Sequence, residues 1–206
     1  MEKLYNSPAE ILKTVEVQTI EQDCLDHVFK WLSGQDKNKD DANKDFITEL
    51  DLARCLQFLG LNPTKSEVAG FIWEVDDDLD GKVSKEEYQT MYKRCISDKD
   101  DLEPRKLFNL VQFLMYDKTF KGKVTVEETL QILFVRHGRT KLDEEIKHIF
   151  GEGEGKGEKN PDGSEREITY GEYVESINTR ALKKLEEKKK ARKEGKFLEK
   201  DFVKKE

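Results

Sequence analysis

Asp76-Asp77-Asp78-Leu79-Asp80-Gly81-Lys82-Val83-Ser84-Lys85-Glu86-Glu87 is the stretch whose spacing decides how this chain is read. Carboxylates stand at its first, third and fifth places, glycine at the sixth and glutamate at the twelfth. A calcium ion is a hard cation that gathers about six to eight oxygens, and this spacing lets Asp76, Asp78 and Asp80 converge on one point. Gly81 permits the sharp turn that wraps the loop. Lys82 offers its backbone carbonyl while its side chain points into water, and Ser84 contributes directly or through a water. Glu87 closes the shell with both oxygens. Val83, at the eighth place, is the apolar residue that a paired loop needs for a short strand contact.

Working outward, the loop is flanked by helical stripes: Val68, Phe71, Ile72 and Val75 before it, and Tyr88, Met91, Tyr92 and Cys95 after it. Val83-Ser84 with Glu87 is one copy of a repeat. Ile47-Thr48 with Asp51, Val124-Thr125 with Glu128 and Ile168-Thr169 with Glu172 are the others. Each copy is an apolar strand residue, a hydroxyl N-cap and an acid three places later, which opens a helix. Four helix–loop–helix units follow, each needing a partner to bury its apolar face. Upstream, Ser7-Pro8-Ala9-Glu10 predicts a short helix to about Val15, and Thr19 with Gln22 begins a longer one carrying Ile20, Cys24, Val28 and Trp31 or Leu32. Leu52, Cys55, Leu56 and Leu59 form the next stripe before Gly60. Ser97 to Arg105 is a polar break, after which Leu107, Leu110, Val111 and Leu114 form a stripe flanked by Phe108 and Phe113.

The other three loops depart from the ligand pattern. In the first, Asp36, Asn38 and Asp40 have ligand-like spacing, but Asp41 to Asp45 intervene, no glycine turns the chain, and Asp51 is shorter than glutamate. The third, Asp117 to Glu128, keeps its ends and Gly122, yet Lys121 puts an ammonium where the fifth-place carboxylate belongs. The fourth is stretched from Gly151 to Glu172, so it is expected to hold no ion. Its run Gly151-Glu152-Gly153-Glu154-Gly155-Lys156-Gly157 lacks the lysine–hydroxyl pair of a phosphate loop and reads as an insertion.

Composition narrows the class further. Among 206 residues, 39% are charged and 35% hydrophobic, which suits small helical lobes better than one large core. Cys24, Cys55 and Cys95 are scattered without paired spacing, as free thiols in a reducing compartment would be. The N-terminus has no apolar run and residue 2 is Glu, so neither signal peptide, membrane span nor myristoylation is expected. His27, His137 and His148 are isolated, and no catalytic grouping is visible, so the chain is expected not to be an enzyme. The net charge of −7 hides an acidic body at −12 and a segment 181–206 at +5, which argues against nucleic-acid binding by the body. That tail, with Lys183–Glu187 and Glu186–Lys190 spaced four apart and Phe197, Leu198, Phe202 and Val203 beyond Gly195, is either a solvated helix or a docking arm for an acidic surface.

With these residues the chain resembles the calmodulin and troponin C superfamily of paired EF-hands over roughly 19–177, and Phe58-Leu59-Gly60-Leu61-Asn62-Pro63-Thr64 resembles that family's inter-hand linker. The resemblance implies an all-α fold of two lobes of paired hands, three of them degenerate, with Ile47 facing Val83 and Val124 facing Ile168. The expected segments are an extension 1–18, a first lobe 19–97, a linker 98–106, a second lobe 107–180 and a Lys/Glu-rich helical tail 181–206. It further implies calcium as the one cofactor, held by Asp76, Asp78, Asp80, Lys82 and Glu87. The expected role is a calcium-responsive subunit or adaptor of a protein assembly; the alternative is a constitutive, light-chain-like subunit in which calcium is static. Only Met91 and Met115 follow Met1, so one or few dedicated partners are expected rather than a promiscuous methionine-rich groove. Degenerate hands with a charged tail are similar to light-chain-like cytoskeletal subunits such as centrins and the calcium-binding subunits of axonemal dynein docking complexes. The matching location is cytoplasmic or cytoskeletal, including cilium or flagellum, without nucleic acid or membrane insertion.

Overall fold

Hydroxyl-plus-acid caps set most of the helix starts. In the computed structural model, which describes residues 8–98, 102–151, 159–160 and 163–193 (the backbone alone for 8–18 and 191–193), eight helices and two short strands follow in order. They are α1 (Pro8–Leu32), α2 (Glu49–Phe58), α3 (Lys65–Trp73), α4 (Lys85–Ser97), α5 (Lys106–Tyr116), β1 (Lys123–Val124), α6 (Val126–His137), α7 (Arg139–Phe150), β2 (Ile168–Thr169) and α8 (Tyr170–Lys193). Reciprocal capping boxes open α2 (Thr48 with Asp51), α3 (Thr64 with Glu67), α4 (Ser84 with Glu87) and α6 (Thr125 with Glu128). Thr169 and Glu172 make the same exchange at the start of α8. Among the described residues, no helix is long and apolar enough to cross a membrane.

The expected break near residues 16–18 is absent: α1 is one helix of 25 residues. Thr19 and Gln22 only imitate a cap, and Gln22 Nε2 donates to Asp26 Oδ1, 3.2 Å away and one turn further on. Nothing between Pro8 and Gly34 is a glycine or a proline, so no residue ends the helix earlier. The expected tail beyond Lys193, with Gly195, Phe197, Leu198, Phe202 and Val203, lies outside the described residues.

Loops pair through short backbone contacts. Ile47 and Val83 each donate to the other's carbonyl at 2.9 Å, and β1 pairs antiparallel with β2, Val124 opposite Ile168. All four of these side chains are buried. The register puts the apolar residue of each loop on the core side.

α5 departs most from its expected form. Phe108 and Phe113 were expected to flank a stripe, but Leu107, Phe108, Leu110, Val111, Phe113, Leu114, Met115 and Tyr116 are all buried. From Leu107 to Tyr116 only Asn109 and Gln112 are part-exposed, and α5 lies against α1, α3 and α4 as well as α6 and α8. One hydrophobic cluster therefore runs from Leu25 to Tyr173 through both pairs of loops. Aromatic contacts reinforce the junction: Phe120, in the loop after α5, stacks on Trp31 of α1 at 4.3 Å and on His27 at 5.0 Å.

A polar cross-link runs beside this core. Arg136 of α6 donates to Glu21 of α1 (Nη2 to Oε1, 2.8 Å) and to the Tyr92 hydroxyl of α4, and that hydroxyl donates to the same Glu21 oxygen at 2.6 Å. The Arg136 side chain is only 10% exposed, so its charge depends on this partner. Replacing Arg136 with Met leaves Glu21 and Tyr92 without their cation and is expected to lower the unfolding free energy by about 2–4 kcal/mol. Urea denaturation checks this, and Glu21→Gln/Arg136→Met should lose less than Arg136→Met alone.

Candidate metal centre

The loop between α3 and α4 is shaped by its own amides. Asp76 accepts from Asp80 N at 3.1 Å and from Gly81 N at 2.9 Å, Asp78 from Asp80 N at 3.2 Å, and Asp80 from Lys82 N at 3.0 Å. These bonds fold the loop so that Asp76, Asp78 and Asp80 bring carboxylate oxygens within 4.8 Å of one another. Among the described residues it is the one group of this kind. The crowding has an electrostatic signature at Asp78. The Asp80 amide favours its charged form, but desolvation and the negative charges of Asp80, Glu87 and Asp76 outweigh that and raise its pKa. A divalent cation relieves such repulsion, and the all-oxygen donor set suits a hard one.

Glu87 stands apart from that triad. Its Oε2 accepts from Ser84 N and Ser84 Oγ, both at 2.8 Å, and its Oε1 accepts from Asp77 N at 2.9 Å. The carboxylate needed to close an oxygen shell is thus the one that caps α4. Lys82 also differs from expectation. Its side chain does not run into water but lies over the Phe46 ring, 4.3 Å from the centroid, with Nζ 3.5 Å from Asp80. The backbone bridge to the first loop uses Val83, one residue on. Leu79 adopts φ 62° and is 78% exposed, whereas Phe120, at the same place in the third loop with φ 52°, is covered by Trp31 and His27.

The equivalent acids of the other loops face a cation supplied by their own loop. In the first, Lys39 Nζ donates to Asp51 Oδ2, to Ser33 O at 2.7 Å and to Phe46 O at 2.8 Å. Asp51 also accepts from Asp36 N and Thr48 N, each at 2.8 Å. Asp36 pairs with Arg54 at 2.9 Å and accepts from Asn38 N, while Asp40 accepts from Asn43. In the third, Lys121 Nζ lies 3.3 Å from Glu128 Oε1 and 3.0 Å from Glu167 Oε1, and that pairing holds the Glu167 carboxyl below its ordinary pKa. Asp117 of this loop accepts from Lys121 N and Gly122 N, but burial dominates and raises its pKa. In the fourth, Arg166 bonds Glu172 Oε1 at 3.2 Å and Phe150 O at 2.9 Å. Burial there opposes charge on Glu172, yet the bonds from Thr169 and Arg166 prevail and lower its pKa.

Sequence reasoning flagged Lys121 but missed Lys39 and Arg166. Nothing in the spacing of Lys39 points to Asp51, because the inserted residues 41–45 set the path between them. Arg166, three places before the Thr169 cap, was the more readable of the two. The thiols take no part: Cys55 and Cys95 are buried, burial pushes Cys95 up to about 11, and Cys95 Sγ contacts Pro104 O at 3.4 Å.

Helix, oxygen-lined twelve-residue loop, and helix, with an antiparallel contact to a neighbouring loop, define a class of cation-binding module. A family model described as an EF-hand domain pair matches residues 43–95, from the end of the first loop through α2, α3 and the Asp76–Glu87 loop into α4. The match supports an EF-hand reading of that segment, and such a domain implies calcium as its ion.

Gly81 has φ 81°, and a Cβ added there meets nothing within 4 Å. Any cost of Gly81→Ala is therefore conformational rather than steric. Chemical denaturation should show a loss of about 1 kcal/mol, accompanied by weaker calcium uptake.

Proposed function

We propose that the chain is a calcium-responsive subunit or adaptor of a protein assembly, built from four EF-hand-type units in two pairs, of which the second alone takes up calcium. Asp76, Asp78 and Asp80, the Lys82 carbonyl and Glu87 hold the ion, and Ser84 completes the set directly or through water. The observation that carries this reading is the partner of the closing acid. Asp51, Glu128 and Glu172 each face a Lys or Arg of their own loop, whereas Glu87, among the described residues, is held by hydrogen bonds from Ser84 and Asp77 and faces no such cation. Such a loop is expected to bind calcium with a dissociation constant of about 10⁻⁷–10⁻⁵ M, the range of sensors.

The role is one of binding rather than catalysis, with one or few dedicated protein partners. The cytoskeletal or axonemal setting rests on the resemblance of the sequence to light-chain-like subunits. The contact arm of this proposal is the far half of α8, where residues 181–190 are all exposed and Leu182 (61%) and Leu185 (48%) stand among lysines. An acidic surface is the complement of that arm.

One observation favours the second reading, a constitutive subunit with static calcium. α5 lies against α1, α3 and α4, and Tyr88 of α4 donates to Leu25 O of α1 at 3.1 Å, so opening the first pair would break a shared core. Calorimetry with calcium against magnesium, combined with an apolar dye, separates the two. A single micromolar-range site whose filling raises dye binding supports the sensor; filling without a dye response supports the static subunit. Glu87→Gln is expected to abolish the calcium heat, and surviving stoichiometry would sink the single-site assignment.

A further inference from the structure

We propose that the first loop is a cation site whose resident cation is the chain's own Lys39 ammonium, so that this loop stays closed with no metal. An ammonium carries three donors, and Lys39 Nζ finds three oxygens: Ser33 O, Phe46 O and Asp51 Oδ2. These oxygens come from three different parts of the unit. Ser33 follows the C-terminus of α1, where helix carbonyls are electron-rich; Phe46 precedes the bridge residue Ile47; and Asp51 lies in the first turn of α2. One nitrogen thus joins the entering helix, the bridge strand and the exiting helix.

The shell fits an ammonium and not a calcium ion. Calcium asks for about six to eight oxygens, but the remaining acids of the loop are turned elsewhere, Asp36 to Arg54 and Asp40 to Asn43. The Lys39 side chain is 6% exposed and that of Asp51 is fully buried, so neither charge has water to fall back on. Lys121 and Arg166 also stand against the closing acids Glu128 and Glu172, but in more exposed pairs. In the first loop the result reaches the second: Phe46, held through its carbonyl, carries the Lys82 side chain over its ring, and Ile47 exchanges hydrogen bonds with Val83. A loop already closed by its own cation presents that contact without first being ordered. The assignment stands on the first loop alone and does not require that the second binds calcium.

Thermal melting of the full chain in excess chelator, where metal plays no part, tests it with four proteins: the parent, Lys39→Met, Asp51→Asn and the double variant. Lys39→Met is expected to melt about 6–15 °C below the parent, as loss of one partner of a buried pair would give in a chain of this size. The double variant should regain at least half of that loss, because the orphaned carboxylate is gone. A Lys39→Met protein melting within about 2 °C of the parent, below the about 2–4 °C that 1 kcal/mol produces, would overturn the proposal. So would a double variant melting no higher than Lys39→Met. Where Lys39→Met does not fold at all, the double variant decides: a cooperative melt supports the assignment and an unfolded chain overturns it. Calcium titration adds a check, since Lys39→Met should take up no more calcium than the parent, and an extra ion would mark the shell as a metal shell.

Discussion

Each loop of this chain ends in an acid that caps the next helix, and the second demand on that carboxylate organises everything around it. One oxygen of Asp51, Glu87, Glu128 and Glu172 accepts from the backbone of the hydroxyl residue three places earlier. The carboxylate still carries a charge to be met. In three loops a Lys or Arg of the same loop meets it, in a buried pair at Lys39–Asp51 and in more exposed pairs at Lys121–Glu128 and Arg166–Glu172. Among the described residues Glu87 accepts only from neutral donors, and the Lys82 ammonium of this loop lies 3.5 Å from Asp80 rather than against Glu87. A closing acid of this kind, with no tethered cation against it, would favour a mobile one.

The shared core sets what such a cation could change. α5, belonging by sequence to the second pair of loops, is buried over most of its surface against helices of both pairs. Phe120 under Trp31, and Arg136 between Glu21 and Tyr92, add an aromatic and a polar lock across the same junction. Close-packed interiors transmit displacement rather than absorb it. A change at the head of α4, where Glu87 sits, would reach α1 and α5 through Tyr88 and Tyr92. The junction is therefore both a restraint on opening and a route by which one loop could influence the other pair.

Much of this was legible in the sequence, for definite reasons. Acids at fixed spacing along a loop can be read directly, and so could the gathering of Asp76, Asp78 and Asp80. The caps at Thr48, Ser84, Thr125 and Thr169 depend on neighbours three places apart, and they too were readable. What failed were relations through space or by imitation. Thr19 and Gln22 look like a cap but sit within α1 because no breaker precedes them. The run Leu107 to Tyr116 is buried more widely than a single stripe, because helices of both pairs pack on it. Lys39 was hidden most fully, because its partner is chosen by the path of an irregular insertion and not by any spacing.

Among the described residues, the closing acids Asp51, Glu128 and Glu172 each meet a cation of their own loop, and Glu87 does not. The most direct measurement is native mass spectrometry of the full chain equilibrated with excess calcium, which counts the ions held by each molecule. A single calcium per chain at saturation is expected. Two or more specifically held ions, or none, would contradict it.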